Sequence, residues 1–186
     1  MTSATVITRR VIEALNQAGI PHMLVGAFSR NAYAPPRSTY DADIVVALAG
    51  GSLRSVADFL GSDFTLESQA GFETTTGTLR DTLVHTDAQF SVELFHLSQD
   101  AHDQERFNRR RATSFDGEPT WIPTPEDVII TKLRWARRKD LDDVRDILRF
   151  VAPAPLDWDW LHRWVSVHGT LSTLDALRAE AEPSDR

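Results

Sequence analysis

Two aspartates placed two residues apart are the part of this sequence best suited to chemistry. Asp41 and Asp43 open the run Asp41–Val46, whose later residues are typical of a buried strand. Side chains at positions i and i+2 of a strand point to the same face, so the two carboxylates would stand side by side. Such a pair repels itself unless a cation lies between its members. Carboxylate oxygens are ligands that Mg²⁺ takes together with water and phosphate oxygens, so the sequence predicts a magnesium site here.

A glycine turn precedes this strand and is suited to the phosphates that would share the metal. The apolar run Met23–Val25 ends at Gly26-Ala27, and Ser29 follows two residues later. A backbone without a Cβ atom can approach a phosphate closely, and the N–H groups at the start of a following helix favour anions. Ser29 could add a hydroxyl contact to the phosphate.

The spacing between the glycine turn and the acidic pair matches a known pattern. Thirteen residues separate Gly26-Ala27 from Asp41-Ala42-Asp43, and Arg37-Ser38-Thr39 stand just before the acids. The stretch thereby resembles the signature of the nucleotidyltransferase superfamily, which has the polymerase-beta-like fold. In that signature a strand ending in Gly-Gly or Gly-Ser and a short helix precede an Asp-x-Asp strand. The likeness is greatest to the small minimal and toxin-type (AbiEii-like) members. Ala27 departs from the pattern, because Gly or Ser is usual at that position.

The resemblance implies an activity and a third acidic residue. The activity would be Mg²⁺-dependent transfer of a nucleoside monophosphate from an NTP to an acceptor hydroxyl, with release of pyrophosphate. Two Mg²⁺ ions would be held by Asp41, Asp43 and a carboxylate on a neighbouring strand. Glu93, in the apolar run Val92–Phe95, is the candidate for binding the second ion and taking the acceptor's proton. The superfamily usually has Asp there, and a solvent-facing place on a one-sided strand is the alternative for Glu93.

Residues from both halves of the chain would hold the nucleotide. The segment 125–133 resembles the one that leads to a lysine in the toxin-type branch, and 139–143 resembles the basic-then-acidic motif after it. By that resemblance Lys132 contacts nucleotide phosphate and Asp143 helps to organise the site. In the alternative reading Lys132 lies along its helix and Asp143 offsets a helix dipole. The predicted nucleotide-binding residues are Gly26, Ala27, Ser29, Arg37, Thr39, Lys132 and Asp143.

Hydrophobic periodicity predicts an α/β core followed by helices. Residues 1–122 would form a mixed, twisted sheet with helices mainly on one side, and residues 123–186 a helical segment packed on it. Strands are predicted at 23–25, 41–46, 64–66, 83–85 and 90–97, with a small hairpin at 112–115 and 119–122. Helices are predicted at 4–18, 52–60, 100–111, 124–138, 140–150 and 157–169, and again from 171. Residues 68–79 show no clear period.

The composition indicates a cytoplasmic globular protein. No run approaches the roughly 18 apolar residues that a membrane helix needs, and the first residues do not resemble a secretory signal. The sequence has no cysteine, which agrees with a reducing compartment. A net charge of −7 disfavours a broad surface for nucleic acid. The arginines at 109–111, 134, 137 and 138 could still grip a triphosphate or an RNA end, or form a solvated face.

The sequence leaves three classes of acceptor open. By resemblance the acceptor is a tRNA end, a protein hydroxyl or a small molecule such as an antibiotic, and a toxin would have an antitoxin partner. The rival hypothesis is a non-catalytic nucleotide-binding or partner-binding module, which Ala27 and Glu93 favour. The intact pair Asp41 and Asp43 favours an enzyme, because two buried acids without a metal are costly. The tryptophans at 158, 160 and 164 are expected in the core, and the histidine at 85 in a structural role.

Overall fold

The computed structural model describes residues 3–48, 50, 52–75, 77–151 and 156–181. Within these ranges the helices are α1 Ala4–Gln17, α2 Gly26–Arg30, α3 Arg54–Leu60, α4 Ala101–Asn108, α5 Pro125–Trp135, α6 Arg138–Phe150, α7 Trp158–Val167 and α8 Leu171–Ala181. The strands are β1 His22–Val25, β2 Asp41–Val46, β3 Phe64–Leu66, β4 Gly71–Glu73, β5 Thr78–His85, β6 Ser91–His96, β7 Arg111–Phe115 and β8 Glu118–Ile122. The chain is thus α/β at first and helical from α5 onward, as the sequence predicts.

One mixed sheet carries the predicted acidic residues at its centre. Its strand order is β1-β2-β6-β5-β3, and β4 pairs with another part of β5. β2 and β6 run parallel, while the other pairs in this sheet are antiparallel. A parallel pair needs a long crossover, and here the crossover contains α3 and the outer strands. The register sets Asp43 opposite Glu93 on one side and opposite Val25 on the other.

The central strands bury one face of the sheet under α1 and α3. Alternate residues of the central strands point to this face, where they meet the apolar stripe of α1. The buried residues shared between these elements include Ile7, Val11, Leu15, Ala42, Ile44, Val46, Val56, Val92 and Leu94. The opposite face is covered in part by α4, since Phe107 packs on Met23 and Val45. Helices therefore lie on both faces, and the region of the second face that α4 leaves free holds the candidate site.

A separate hairpin, β7–β8, packs beside α1 and β1. Its turn at Asp116-Gly117 has positive φ at both residues, 49° and 84°, which is the backbone that tight hairpins require. The side-chain amide of Asn16 on α1 donates to Glu118 Oε1 at 2.7 Å and to the carbonyl of Pro119 at 2.8 Å. These contacts attach the hairpin to the outer side of the core.

The helices after β8 have a hydrophobic core of their own. Thr124 accepts a hydrogen bond from the N–H of Asp127 at 3.3 Å, and Pro125 takes the first helical position of α5. The core that follows is built from Val128, Ile129, Ile130, Leu133, Val144, Ile147, Leu161, Trp164, Val165, Leu174 and Leu177. Trp164 is buried and Trp158 and Trp160 pack at its edge, which agrees with the expected core role. The division of the chain at residues 122 and 123 stays a prediction.

Several element boundaries differ from the sequence-based ones. β5 starts at Thr78, five residues earlier than predicted, and β4 lies within the segment that showed no period. α4 ends at Asn108, because Arg111 already begins β7. Ser52 is not the N-cap of α3, because Leu53 occupies that position. The hydroxyl of Ser52 still accepts a hydrogen bond from the N–H of Arg54 at 3.1 Å. The spacing of apolar residues does not mark the ends of these helices and strands, because strand pairing and helix caps determine where they begin and end.

A buried histidine joins β1 to the hairpin. His22 is fully buried, with Nδ1 at 3.1 Å from the carbonyl of Ile20 and Nε2 at 3.2 Å from Thr120 Oγ1. The carbonyl can only accept, so Nδ1 carries the proton and Nε2 accepts from the threonine hydroxyl. Burial lowers the pKa of His22, since the charged form would lose its hydration.

We expect His22 to make the protein less stable at mildly acidic pH. Its folded-state pKa is depressed, so its contribution to stability is present above the unfolded pKa of about 6.5 and is lost as pH falls below it. His22→Gln should reduce the slope of unfolding free energy against pH between pH 7 and pH 5, by at most about 1.4 kcal/mol per pH unit. Urea denaturation at several pH values measures this, and an unchanged slope in the variant would contradict it. His162→Gln, a change at an exposed residue, should leave the slope as in the wild type.

Candidate active site

Three carboxylates lie on one face of the two parallel strands. Asp41 and Asp43 share the face of β2 opposite to Ala42 and Ile44, and Glu93 stands beside Asp43 on β6. All three are partly buried. Thr39 donates its hydroxyl to Asp41 Oδ1 at 2.8 Å and so orients that carboxylate. The sequence-predicted acids are therefore brought together by sheet register, with Thr39 as a supporting residue.

The carboxylate of Asp43 rests directly on Gly26. Gly26 has φ of +61°, a backbone that other residues rarely adopt, and it begins α2. A Cβ atom built on it would lie 1.9 Å from Asp43 Oδ2. Glycine is therefore required here because the acidic side chain occupies the space, which adds a second reason to the predicted approach of phosphate. Ser29, three residues on, is buried and donates its hydroxyl to the carbonyl of Gly26 at 3.1 Å.

The acidic cluster is electrostatically strained in a way that a cation would relieve. Burial, together with the charges of Asp41 and Glu93, raises the pKa of Asp43 to about 7 against the opposing effect of Lys132 and Lys139. Burial also raises the pKa of Glu93, with the Arg80 guanidinium acting in the opposite direction. Hard carboxylate oxygens that repel one another in a partly buried cleft are the donor set that Mg²⁺ favours. The residues present fit the predicted metal.

Glu93 is held by a cation of the protein itself. Arg80 Nη1 lies 3.0 Å from Glu93 Oε1 and 3.1 Å from Oε2. The oxygens of Asp41, Asp43 and Glu93 do not all lie within 4.8 Å of one another. Glu93 is thus in the site but turned toward Arg80, and its role as a metal ligand stays a prediction.

A basic wall faces the carboxylates and consists of Arg37, from the residues before β2, and of Lys132 and Arg137, from the helical segment. Lys132 on α5 places Nζ 2.9 Å from Asp140 Oδ1 and 2.9 Å from Asp143 Oδ2. Arg37 binds Asp143 through two parallel hydrogen bonds, both 2.9 Å long. Arg137 donates to Asp140 Oδ2 at 2.6 Å. Two aspartates of α6 therefore orient three cations that border the cavity, which leaves an excess of positive charge on this side.

The turn between α5 and α6 sets this arrangement. Ala136 adopts a left-handed backbone with φ of 51°, which reverses the chain between the two helices. The reversal brings Lys132 near the end of α5 back against Asp140 and Asp143 in the first two turns of α6. Asp143 thereby becomes the partner of a lysine and not only a residue that offsets the helix dipole.

The acidic cluster and the basic wall line one cavity of about 360 Å³. Nine of the predicted site residues border it, namely Gly26, Ala27, Ser29, Arg37, Thr39, Asp41, Asp43, Glu93 and Lys132. Asp143 does not line it, since it lies behind Arg37 and Lys132 and is 2% exposed. The cavity joins residues from both halves of the chain, and its two charged sides suit a ligand with a metal-bound anionic part.

Some cavity residues were not predicted from the sequence. Arg80 was missed because the predicted strand began after it; the alternation of Thr78, Arg80 and Thr82 is the signal that could have extended it. Arg137 and Lys139 at the start of α6 and Trp135 at the end of α5 also border the cavity. Arg137 belongs to the clustered arginines that could grip a triphosphate, and it is the member of those clusters that borders the cavity.

Three other clustered arginines contact neighbouring parts of the protein. Arg109 lies 3.9 Å from Asp127 and 3.8 Å from the ring centre of Trp160. Arg110 lies 4.1 Å above the ring of Phe107. Arg134 pairs with Asp100 at 3.4 Å. These three side chains are structural contacts between α4, the hairpin and the helices after it, and they do not border the cavity.

Comparisons with known proteins agree with the geometry at the level of the fold. No protein-family model and no curated protein matches the sequence. An antigenic nucleotidyltransferase-like protein from Paracoccidioides brasiliensis matches with a TM-score of 0.59 at 16% identity, over 94% of this chain and 91% of that one. ANT(2'')-Ia, solved in complex with adenylyl-2''-tobramycin, matches with a TM-score of 0.51 at 12% identity, over 97% of both chains. The lincomycin-bound lincosamide antibiotic adenylyltransferase LnuA matches at 0.50 and 9% identity, over 79% and 96%.

These matches confirm that the predicted resemblance to the nucleotidyltransferase superfamily holds for the fold. The chain has the nucleotidyltransferase-like fold that the glycine turn and the Asp-x-Asp strand predicted. The matches do not separate the toxin-type branch from the others, so that assignment stays a prediction. Among the described residues, no helix has the length and apolar character needed to cross a bilayer.

We expect Gly26→Ala to destroy the site, while Gly19→Ala serves as a matched control. Both glycines have positive φ, +61° and +64°, but a Cβ at Gly19 would meet nothing within 4 Å. Both variants should lose about 1–2 kcal/mol of stability from backbone strain. Gly26→Ala should lose more, because its Cβ displaces the carboxylate of Asp43, and nucleotide binding should fall only in this variant. Urea denaturation and nucleotide titration measure the two effects. Equal behaviour of the variants would show that the contact with Asp43 is unimportant.

Proposed function

We propose that this protein is a Mg²⁺-dependent nucleotidyltransferase that moves a nucleoside monophosphate from an NTP to an acceptor hydroxyl. The observation that carries the proposal is the cavity in which Asp41, Asp43 and Glu93 face Arg37 and Lys132. Carboxylates on one side suit metal ions, and cations on the other suit a triphosphate. The shared fold with nucleotidyltransferases supports the same activity.

The acidic cluster would hold the metal. Asp41 and Asp43 are the ligands, oriented by Thr39 and by the surface of Gly26 respectively. When bound, Mg²⁺ supplies positive charge that stabilises the attacking and leaving oxygens of an in-line displacement at phosphorus. Metal binding would also bring Asp43 fully into its charged form, since the cation opposes the burial that raises its pKa to about 7.

The basic wall would hold the triphosphate. Arg37 and Lys132 are already fixed by Asp143 at 2.9 Å, so little side-chain freedom is lost when they contact phosphate oxygens. The backbone at Gly26-Ala27 borders the same cavity. Ala27 has no hydroxyl, and the loss of one phosphate contact would weaken binding by about 1–3 kcal/mol without abolishing it.

Glu93 would take the proton from the acceptor hydroxyl. Its pKa is raised by burial, which makes the carboxylate a better base. Arg80 holds it at 3.0 Å and keeps it beside Asp43. The longer side chain of Glu, compared with Asp, reaches from β6 toward the cavity while it remains paired with Arg80.

The resemblance allows three classes of acceptor, namely a tRNA end, a protein hydroxyl and a small molecule. ANT(2'')-Ia was solved with adenylylated tobramycin and LnuA with lincomycin, so two proteins of this fold act on or bind small antibiotics. A small-molecule acceptor is favoured on this basis, with a tRNA end or a protein hydroxyl, and a role as the toxin of a toxin–antitoxin pair, as alternatives. Incubation with each of four labelled NTPs and cell lysate separates the classes, because label enters small molecules, RNA or protein.

We expect Asp43→Asn to abolish transfer without harming the fold. The change keeps the shape of the side chain but removes a metal ligand, so the rate should fall by about 100-fold or more. The thermal midpoint in the absence of metal should stay equal or rise, because repulsion from Asp41 and Glu93 is removed. Pyrophosphate release and thermal melts measure these effects, with the exposed Asp58→Asn as control. Undiminished release by Asp43→Asn would refute the metal assignment.

Stabilisation by ligands separates the enzyme from a non-catalytic binding module. A joint site for metal and nucleotide predicts a clear rise in melting temperature only when Mg²⁺ and NTP are both present. For the wild type we expect a shift that corresponds to about 2.7 kcal/mol at a ligand concentration of 100 times Kd. Equal stabilisation by NTP alone, together with no release of pyrophosphate, would establish the binding module instead.

A further inference from the structure

A second cluster of ligand-type side chains lies outside the cavity, where the start of α4 meets the end of α7. It consists of Asp100, His102 and His168. Each residue offers one potential metal-ligand atom, and these atoms all lie within 4.8 Å of one another. Among the described residues it is the one such group of three or more. The three side chains come from distant parts of the sequence, so the fold has assembled them.

His102 has the tautomer and the orientation of a metal ligand. The residue is 0% exposed, and its Nε2 lies 3.2 Å from Asp127 Oδ1. A carboxylate can only accept, so Nε2 carries the proton and Nδ1 keeps a free lone pair. Nδ1 is buried and has no hydrogen-bond partner. A buried imidazole nitrogen without a partner is costly, and a metal ion would satisfy it.

The carboxylate that orients His102 is itself fixed. Asp127 accepts from the indole N–H of Trp160 at 2.9 Å and from the hydroxyl of Thr124 at 2.9 Å. Metal-binding histidines commonly donate their second N–H to a carboxylate in this way, which locks the ring orientation and strengthens the ligand. Asp127 therefore has the position of the outer member of a carboxylate–histidine–metal arrangement.

His168 and Asp100 complete the set. His168 caps the end of α7, stacks on Trp164 with 5.8 Å between ring centres, and has a buried Nε2 with no hydrogen-bond partner. Asp100 caps α4: its Oδ1 accepts from the N–H of Asp103 at 3.1 Å and from Arg134 at 3.4 Å. Its Oδ2 has neither of these contacts and is left for a metal. Arg134 balances the Asp100 charge when no ion is bound.

We propose that Asp100, His102 and His168 bind a divalent transition-metal ion of the zinc type. Two imidazole nitrogens and one carboxylate oxygen are a typical zinc donor set, and a water molecule would complete a tetrahedron. With metal–ligand distances of about 2.0–2.2 Å, ligand atoms on such an ion lie about 3.4 Å apart, so small side-chain rotations within the present 4.8 Å close the site. The hard-oxygen cluster of the catalytic cavity selects a different kind of ion.

The role that follows from the position is structural. α4 packs on the sheet through Phe107, whereas α7 belongs to the core of the helical segment. An ion bound by Asp100 and His102 at the start of α4 and by His168 at the end of α7 would join these two helices. Zinc would therefore fasten the helical segment to the sheet that carries the acidic cluster, and it would act on stability whether or not the proposed transfer reaction is correct.

Zinc binding to the full-length protein, prepared without a polyhistidine tag and stripped with chelator, tests the proposal. Calorimetric titration with Zn²⁺ and thermal melts should show one bound ion and a raised melting temperature. His168→Gln and Asp100→Asn should each weaken binding by about 10–100-fold or more, the scale on which even outer-shell changes act. Asn is as good a helix cap as Asp, so Asp100→Asn tests the ligand and not the cap. His162→Gln, an exposed histidine on the same helix, is the matched control and should bind as the wild type does.

The outcomes are distinguishable from those of the catalytic cavity. Asp43→Asn should keep the zinc-induced rise in melting temperature, and Mg²⁺ should not reproduce that rise. Replacement of Zn²⁺ by Co²⁺ should give the intense visible absorption of a tetrahedral site in the wild type and not in His168→Gln. No rise in melting temperature for the wild type, an equal rise in His168→Gln, or loss of the rise in Asp43→Asn would each overturn the proposal.

Discussion

The buried carboxylate of Asp143 binds cations from both halves of this protein. Asp143 on α6 is 2% exposed and pairs with Arg30, Arg37 and Lys132, each at 2.9 Å. Burial alone would raise the pKa of this carboxyl, but hydrogen bonds from Arg37 and Lys132 and their charges hold the pKa below its usual value. Loss of one partner from such a buried network typically costs about 3–5 kcal/mol. Arg37 and Lys132 are thus fixed beside the cavity only while α6 is docked on the residues after α2.

The charged cavity is therefore a property of the whole chain and not of either half. The sheet presents the mutually repelling acids of β2 and β6, whereas the cations come from α5, from the start of α6 and, with Arg37, from the residues before β2. These two surfaces face each other across a cavity of about 360 Å³. Their opposite charges create a strong local electric field, although the protein as a whole has a net charge of −7. The net charge disfavours a broad surface for nucleic acid, whereas the local distribution of charge suits a small anionic ligand.

Local pattern was sufficient for the part of the site that lies within one stretch of sequence. Gly26, Asp41 and Asp43 could be found because turn chemistry and strand period act over a few residues. Glu93 followed from its apolar neighbours, but its pairing with Arg80 depends on the register of β5, whose first five residues lie outside the predicted strand. The histidine cluster could not be predicted at all, since His102 and His168 share no local motif and meet only through helix packing.

The parallel pairing of β2 with β6 also determines when the acidic cluster comes into existence. The strands are separated by α3 and three further strands, so their contact is non-local and closes a large loop. Asp43 meets Glu93 only when this register is formed, and the repulsion between them opposes the pairing of the two strands. A cation bound by the cluster would remove this repulsion and bind only the paired strands, so it would stabilise the folded sheet by mass action. The stability of the native sheet would consequently depend on the ionic composition of its surroundings.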